Sequence, residues 1–239
     1  MLDLRNAAWS SVGKKLITGI TGLALVAWIT AHLIGNVTLY LGAEAFNAYA
    51  HLLENLGHGL VLPLMEMGLL AFFAMHIVSG ISVWRSKRRA RPIGYASHAD
   101  AGGPSKKTRS SQSMLYSGLL LLVYIVLHVR HFKYGDTAMV MVHGTEVRDL
   151  YSLVVAEFNK PLVVAAYVGG MAFLGAHLRH GVWSMLQSLG LLNKRWLPFT
   201  YSGAVLVAGA LAIGFLLLPL WVYFFLDAPA ATAALGVLR

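Results

Sequence analysis

With 239 residues, 57% of them hydrophobic and only 12% charged, the chain falls far short of the roughly one-quarter charged composition of a soluble domain. Long, mostly apolar runs recur along it and a mean hydropathy of +0.65 agrees, so the class is a polytopic α-helical membrane protein. The net charge of +9 does not point to nucleic acid, because the basic residues cluster in short loops and act there as topology signals. With no cysteine, the chain excludes disulfides, covalent c-type haem attachment, thiolate-ligated haem and an iron–sulfur cluster of its own. Any haem must be held non-covalently, by nitrogen ligands or by methionine.

In chain order, residues 1–13 form a short amphipathic lead with Trp9 at an interface, followed by Lys14 and Lys15. No secretory signal is expected, since the lead is polar or mixed and the first apolar run exceeds a signal-peptide core. Segment I is predicted over about 16–41, followed by an acidic loop, 42–57, carrying Glu44 and Glu54. Segment II, about 60–84, ends in Arg85, Lys87, Arg88, Arg89 and Arg91, and a Gly/Ser/Pro-rich linker then adds Lys106, Lys107 and Arg109. Segment III covers about 113–132, and the loop after it mixes Lys133, Asp136, Glu146, Arg148, Asp149, Glu157 and Lys160. Segment IV, about 161–189, opens on Pro161, a good first helical residue. An Asn193-Lys194-Arg195 turn leads to segment V, about 201–226, and an Ala-rich tail. The positive-inside rule places the N-terminus, the 85–109 linker and the 193–195 turn in the cytoplasm, and the acidic loop, the 133–160 loop and the C-terminus outside.

Ionisable residues at membrane depth are costly and usually face a bundle interior or a cofactor. His32, His76, His128 and His177 each lie late in a different apolar segment. Segments I and III run outward while II and IV run inward, so depth pairs His32 with His128 in the outer half and His76 with His177 in the inner half. At about 1.5 Å per residue, the pairs should lie roughly 10–15 Å apart along the normal of a core about 30 Å thick. Two such pairs make a bis-histidine dihaem four-helix bundle from segments I–IV, with segment V outside it. Gly35 lies three residues after His32, and Gly80 and Gly181 lie four after His76 and His177, on the ligand faces, where a missing side chain leaves room for a flat macrocycle. Ordinary close helix packing accounts for them too, and segment III has Phe132 instead.

The His128/His131 and His177/His180 pairs have helical zinc-ligand spacing, but zinc needs further ligands and has no thiolate here. His131 and His180 are better read as contacts to haem propionates or water, and Arg130 and Arg179 as residues that make other contacts or snorkel. His98 and His143 read as solvated, and His51 and His58 as interfacial or part of a site. Ser79-Gly80 and Ser202-Gly203 lack the leading glycine of a hydrolase elbow. Glu66 precedes His76 by ten residues, about 15 Å along a helix, near the depth of the outer pair. It is either a neutral acid hydrogen-bonded between helices or an acid at a quinone pocket that His51 and Tyr49 open to the outside.

With these residues in view, the stretches AHLIGN (31–36), GAEAFNAYAH (42–51), MHIVSG (75–80), ARPIGY (90–95), LHV (127–129) and AHLRHGVWSMLQSLG (176–190) come into order. Together they resemble the single-polypeptide, five-helix, dihaem cytochrome b anchor of succinate:quinone oxidoreductases. The resemblance covers segments I–IV and their linkers; segment V matches by length and position only. It implies one cytochrome b domain over 1–239, two haem b with axial ligands His32, His76, His128 and His177, and quinone (menaquinone or ubiquinone) as substrate. It further implies a flavoprotein subunit and an iron–sulfur subunit docked on the cytoplasmic face of a bacterial inner membrane, contact with membrane lipid, and room for a higher oligomer of the complex. Succinate would be oxidised in the partners and not in this chain. Some quinol-oxidising relatives carry a glutamate two residues before the segment IV ligand; here that position is Gly175, which favours quinone reduction. A transporter with midplane histidines, with discontinuous helices and repeat symmetry, and an ascorbate-reducible dihaem cytochrome are the other readings.

Overall fold

The computed structural model describes residues 4–90, 109–193 and 195–227. Arg91 and the rest of the ARPIGY stretch, His98, Lys106, Lys107, Lys194 and the Ala-rich tail lie outside the described residues, as does the side chain of Arg109. After a short α1 (Leu4–Ala8), α2 (Ser11–Asn36) starts under a Ser10 cap that accepts from the Gly13 amide at 3.0 Å. A 3-10 turn (Val37–Leu41) prolongs α2 and stops at Gly42, whose φ of 97° lies in the left-handed region. The other long helices are α4 (Val61–Ala90), α6 (Met114–Phe132), α8 (Pro161–Ser188) and α9 (Leu197–Phe225), with one turn of helix, α5 (Arg109–Gln112), before α6. Among the described residues five helices are thus long and apolar enough to cross a membrane, and the chain is a multi-pass membrane protein.

The ends of several spans differ from expectation. The first span begins at Ser11, because the Ser10 cap and Lys14 extend the helix past its apolar stretch. Helix α4 likewise runs on to Ala90, its last turn carrying Lys87, Arg88 and Arg89, cations that suit a helix C-terminus. Arg88 stacks over the Trp84 ring at 5.1 Å.

The helices alternate in direction. Lys14 of α2 meets Ser86 of α4, and Thr18 meets Ser79. The end where α2 and α6 start and α4 ends in cations is the basic end. At the opposite, capped end, both connections expected as loops are structured. Residues 42–57 contain α3 (Ala43–Asn55), and 133–160 contain an antiparallel hairpin, β1 (Met139–Val142) with β2 (Thr145–Arg148), followed by α7 (Leu150–Phe158). The hairpin turns at His143 and Gly144, both with positive φ, as a two-residue primed turn requires. It is the one exception to an all-α class among the described residues. Asn47 of α3, 2% exposed, joins the pieces: it donates to Asp149 Oδ1 at 2.9 Å and accepts from the Tyr151 amide at 2.9 Å. Asp149 in turn caps α7 through the Ser152 amide. Beneath this network Leu39, Phe46, Val155, Phe158, Tyr167 and Val222 form the apolar core of the capped end.

Helices α2, α4, α6 and α8 form a ring in which α2 packs on α4 and α8, and α6 packs on α8 and, less extensively, on α4. The diagonals of this ring, α2 to α6 and α4 to α8, are not packed pairs. Helix α9 lies outside the ring against α8 and α2, as expected of segment V. Its Ala204 and Ala208 are 2% exposed, and a Cβ at Gly175 of α8 would sit 3.0 Å from the Ala212 Cβ. Small residues let these two helices approach closely.

Candidate functional site

The four histidines expected as ligands meet in pairs across the two diagonals. His32 of α2 and His128 of α6 have ring centres 5.8 Å apart, and His76 of α4 and His177 of α8 have ring centres 6.4 Å apart. A metal–nitrogen bond of about 2 Å on each side of one iron, plus about 1 Å from nitrogen to ring centre, requires roughly 6 Å. The depth pairing therefore matches the geometry. Thr21 touches His76 and stands eleven residues before His32 on the same helix, so the two levels are about 16 Å apart, slightly more than expected.

The basic-end pair is held by hydroxyls from neighbouring helices. Thr21 Oγ1 of α2 lies 3.2 Å from His76 Nδ1, and Ser117 Oγ of α6 lies 3.1 Å from His177 Nδ1. Glycine follows each hydroxyl, and a Cβ at Gly22 or Gly118 would be in van der Waals contact with His76 Cε1 at 3.5 Å or His177 Cε1 at 3.4 Å. Each glycine thus lies directly against the imidazole that its neighbouring hydroxyl faces. None of these four residues was singled out in the sequence, although the signal was there. Thr21-Gly22 precedes His32 by eleven residues and Ser117-Gly118 precedes His128 by eleven, three helical turns in both cases.

The capped-end pair sits among rings. Tyr124 stacks on His128 at 5.9 Å, Phe132 and Tyr167 meet it edge-on or tilted, and Phe215 of α9 lies 5.9 Å from His32. Asn36 Nδ2 lies 3.4 Å from His32 Nε2 while donating to the His32 carbonyl at 2.8 Å. Among the described residues His128 Nδ1 is the one buried side-chain polar atom with no hydrogen-bond partner. Such an atom costs about 1–3 kcal/mol unless a ligand satisfies it.

The remaining candidates divide. A Cβ at Gly80 or Gly181 would meet no atom within 4 Å, which leaves the space expected beside a ligand face. At Gly35 that space is taken by the Tyr49 ring, whose hydroxyl a Cβ would overlap at 2.6 Å, so this glycine serves α3 packing and not a macrocycle. His131 stacks on Tyr167, with the hydroxyl 3.4 Å from Nδ1, and His180 is half-buried one turn beyond His177. Arg179 reaches the Tyr201 hydroxyl of α9 at 3.4 Å, and Arg130 is exposed. His51, half-buried, is held by Asn55, and the exposed His143 lies 3.4 Å from Glu44. Glu66 is neither free nor hydrogen-bonded to Tyr49 or His51: it forms an ion pair with Lys133 at the end of α6, both side chains partly exposed. That partner stands just past the capped end of the next span.

Among the described residues no group of three or more His, Asp or Glu is placed to hold a metal ion. Each pair supplies two nitrogens, the number that an iron already held by four macrocycle nitrogens still takes. The residues present fit haem in donor type and in spacing. Comparison with known protein families, with characterised proteins and with solved structures returns no match for this chain.

Proposed function

We propose that this chain is a dihaem b-type cytochrome that anchors a succinate:quinone oxidoreductase in a bacterial cytoplasmic membrane, basic end and N-terminus inside, capped end outside. The observation that carries the reading is the pairing of His32 with His128 and of His76 with His177 across the diagonals of one bundle. Each pair would hold one haem b, which supplies reversible one-electron transfer. The chain's own residues set the imidazoles in place, through Thr21 and Ser117 at one level and through Tyr124, Phe132 and Phe215 at the other, and close the capped end over them.

A chain without cysteine needs a partner to bring it electrons from succinate, and the exposed Arg85, Lys87, Arg88 and Arg89 offer a basic face for an iron–sulfur and flavoprotein assembly. Menaquinone or ubiquinone would take the electrons within the membrane, with Glu66, Tyr49 and His51 near the capped end as the candidate quinone residues. Two features favour quinone reduction and this architecture. Position 175 is a glycine whose added Cβ would stand 3.0 Å from the Ala212 Cβ, so α9 packs closely there and the chain supplies no carboxylate for proton transfer two residues before His177. The five long helices run unbroken, unlike the interrupted helices with which transporters build midplane sites.

The test is a reduced-minus-oxidised visible spectrum of the purified membrane protein, with haem and protein both quantified. The expected result is a b-type spectrum with about two haems per chain, one for each pair. A preparation without Soret absorption would end the proposal.

A further inference from the structure

The two hydroxyls beside the basic-end pair do more than fill space. Thr21 Oγ1 lies 2.7 Å from the Ile17 carbonyl and 3.2 Å from that of Thr18; Ser117 Oγ lies 3.1 Å from the Ser113 carbonyl and 3.2 Å from that of Met114. A hydroxyl has one proton, and in both residues these backbone carbonyls take it. Each oxygen can then only accept from the imidazole it faces, so His76 and His177 both carry their proton on Nδ1. The Nε2 lone pairs of both rings are left free. This is the arrangement that metal-bound histidines need, in which the second ring nitrogen donates to an outside acceptor that fixes the tautomer and raises ligand basicity.

The arrangement occurs twice, in register. Thr21-Gly22 on α2 serves His76 on α4, and Ser117-Gly118 on α6 serves His177 on α8, each step eleven residues before the histidine that its own helix gives to the other level. At the capped end nothing equivalent exists among the described residues: His128 Nδ1 has no partner, and Asn36 near His32 can only donate from its amide nitrogen. We propose that Thr21 and Ser117 are positioning residues for the basic-end haem, orienting His76 and His177 for ligation through Nε2 and making them stronger donors than the capped-end pair. The inference rests on the reading of the two pairs as haem ligands.

The same purified protein tests it, with the capped-end haem as an internal reference. Thr21→Val keeps the shape and Ser117→Ala nearly so, and each removes the hydroxyl acceptor. Loss of an outer-shell partner to a metal-bound histidine costs roughly 10- to 100-fold in affinity. Each variant should retain the basic-end haem correspondingly less well and shift the midpoint potential of what remains upward, since a weaker donor stabilises the oxidised iron less. The capped-end haem should keep its content and potential. Thr21→Ser and Ser117→Thr, which restore the hydroxyl, should restore both values. Thr30→Val, which removes a hydroxyl bonded only to the Val26 carbonyl, should change neither. If wild-type protein binds two haems but Thr21→Val and Ser117→Ala leave both potentials and both occupancies unchanged, the positioning role is overturned while the dihaem reading stands. Equal loss of both haems in these variants would overturn it too, by showing a general loss of packing. Wild-type protein without haem would remove the premise and the inference together.

Discussion

The basic-end pair and the capped-end pair are contributed by the same four helices, yet they are supported in opposite ways. His76 and His177 are each tied to a hydroxyl on the adjoining helix, with a glycine beside it against the imidazole. Among the described residues no hydroxyl is bonded to the His32 or His128 ring, and the two stand among Tyr124, Phe132, Tyr167 and Phe215, under a small cap of α3, the hairpin and α7. One level is oriented by hydrogen bonds, the other by shape. Hydrogen-bonded support is local and is lost with one atom, whereas packed support depends on a larger assembly that must stay closed. The two levels should therefore be separable by mutation.

The largest separation comes from the ligands. Replacing His76 or His177 with alanine should remove the basic-end haem and leave the other, lowering the ratio from about two per chain to about one. His32→Ala or His128→Ala should remove the capped-end haem instead. The two losses are told apart by redox titration, since each pair should leave a component of different potential. Equal loss of both components in every variant would break the comparison, because the two levels would then form one cooperative unit.

A smaller effect is expected from the cap. Asn47→Ala removes the bond to Asp149 and leaves the Tyr151 amide unpaired in a buried place. Each buried polar group left without a partner costs about 1–3 kcal/mol, so thermal unfolding should begin at a lower temperature. The capped-end haem should be released first, followed by absorbance during heating, with the basic-end haem lost at the wild-type temperature. Simultaneous release would show that the cap does not belong to one level alone.

The parts of this molecule that were legible in the sequence are those governed by short-range periodicity. Five apolar runs became five long helices, and four late histidines became two facing pairs, because depth along a helix follows from residue number at a fixed rise. What escaped depends on distant partners. Asn47 and Asp149 are 102 residues apart, and their contact turns two polar loops into a packed cap. Gly35 looked like its counterparts Gly80 and Gly181, but only it has Tyr49 folded back against it from α3. Thr21 and Ser117 stood in plain view at equal spacing from a histidine. A hydroxyl in an apolar helix usually bonds its own backbone, as both also do, and the histidine it serves lies on another helix.

The finest test concerns Glu66, which belongs to neither pair. It stands one turn and a half into α4 from the capped end and pairs with Lys133, just past the end of α6, so it bridges the neighbouring helices of the ring that pack least on one another. Both side chains are more than a third exposed, and an ion pair in such a place is worth only about 0–1 kcal/mol. Glu66→Gln should therefore leave both haems bound and hardly change the unfolding temperature. Its effect, if the quinone reading is right, lies in turnover. Glutamine retains the shape and a hydrogen-bonding group but cannot exchange a proton, so electron transfer to quinone should slow while succinate oxidation by an artificial acceptor in the assembled complex stays at the wild-type rate. Lys133→Gln separates the two roles: it removes the ion pair and keeps the carboxylate, and should preserve quinone turnover where Glu66→Gln does not. Wild-type turnover in Glu66→Gln would return this carboxylate to a structural bridge between α4 and α6, and the quinone pocket would have to be sought nearer the basic end.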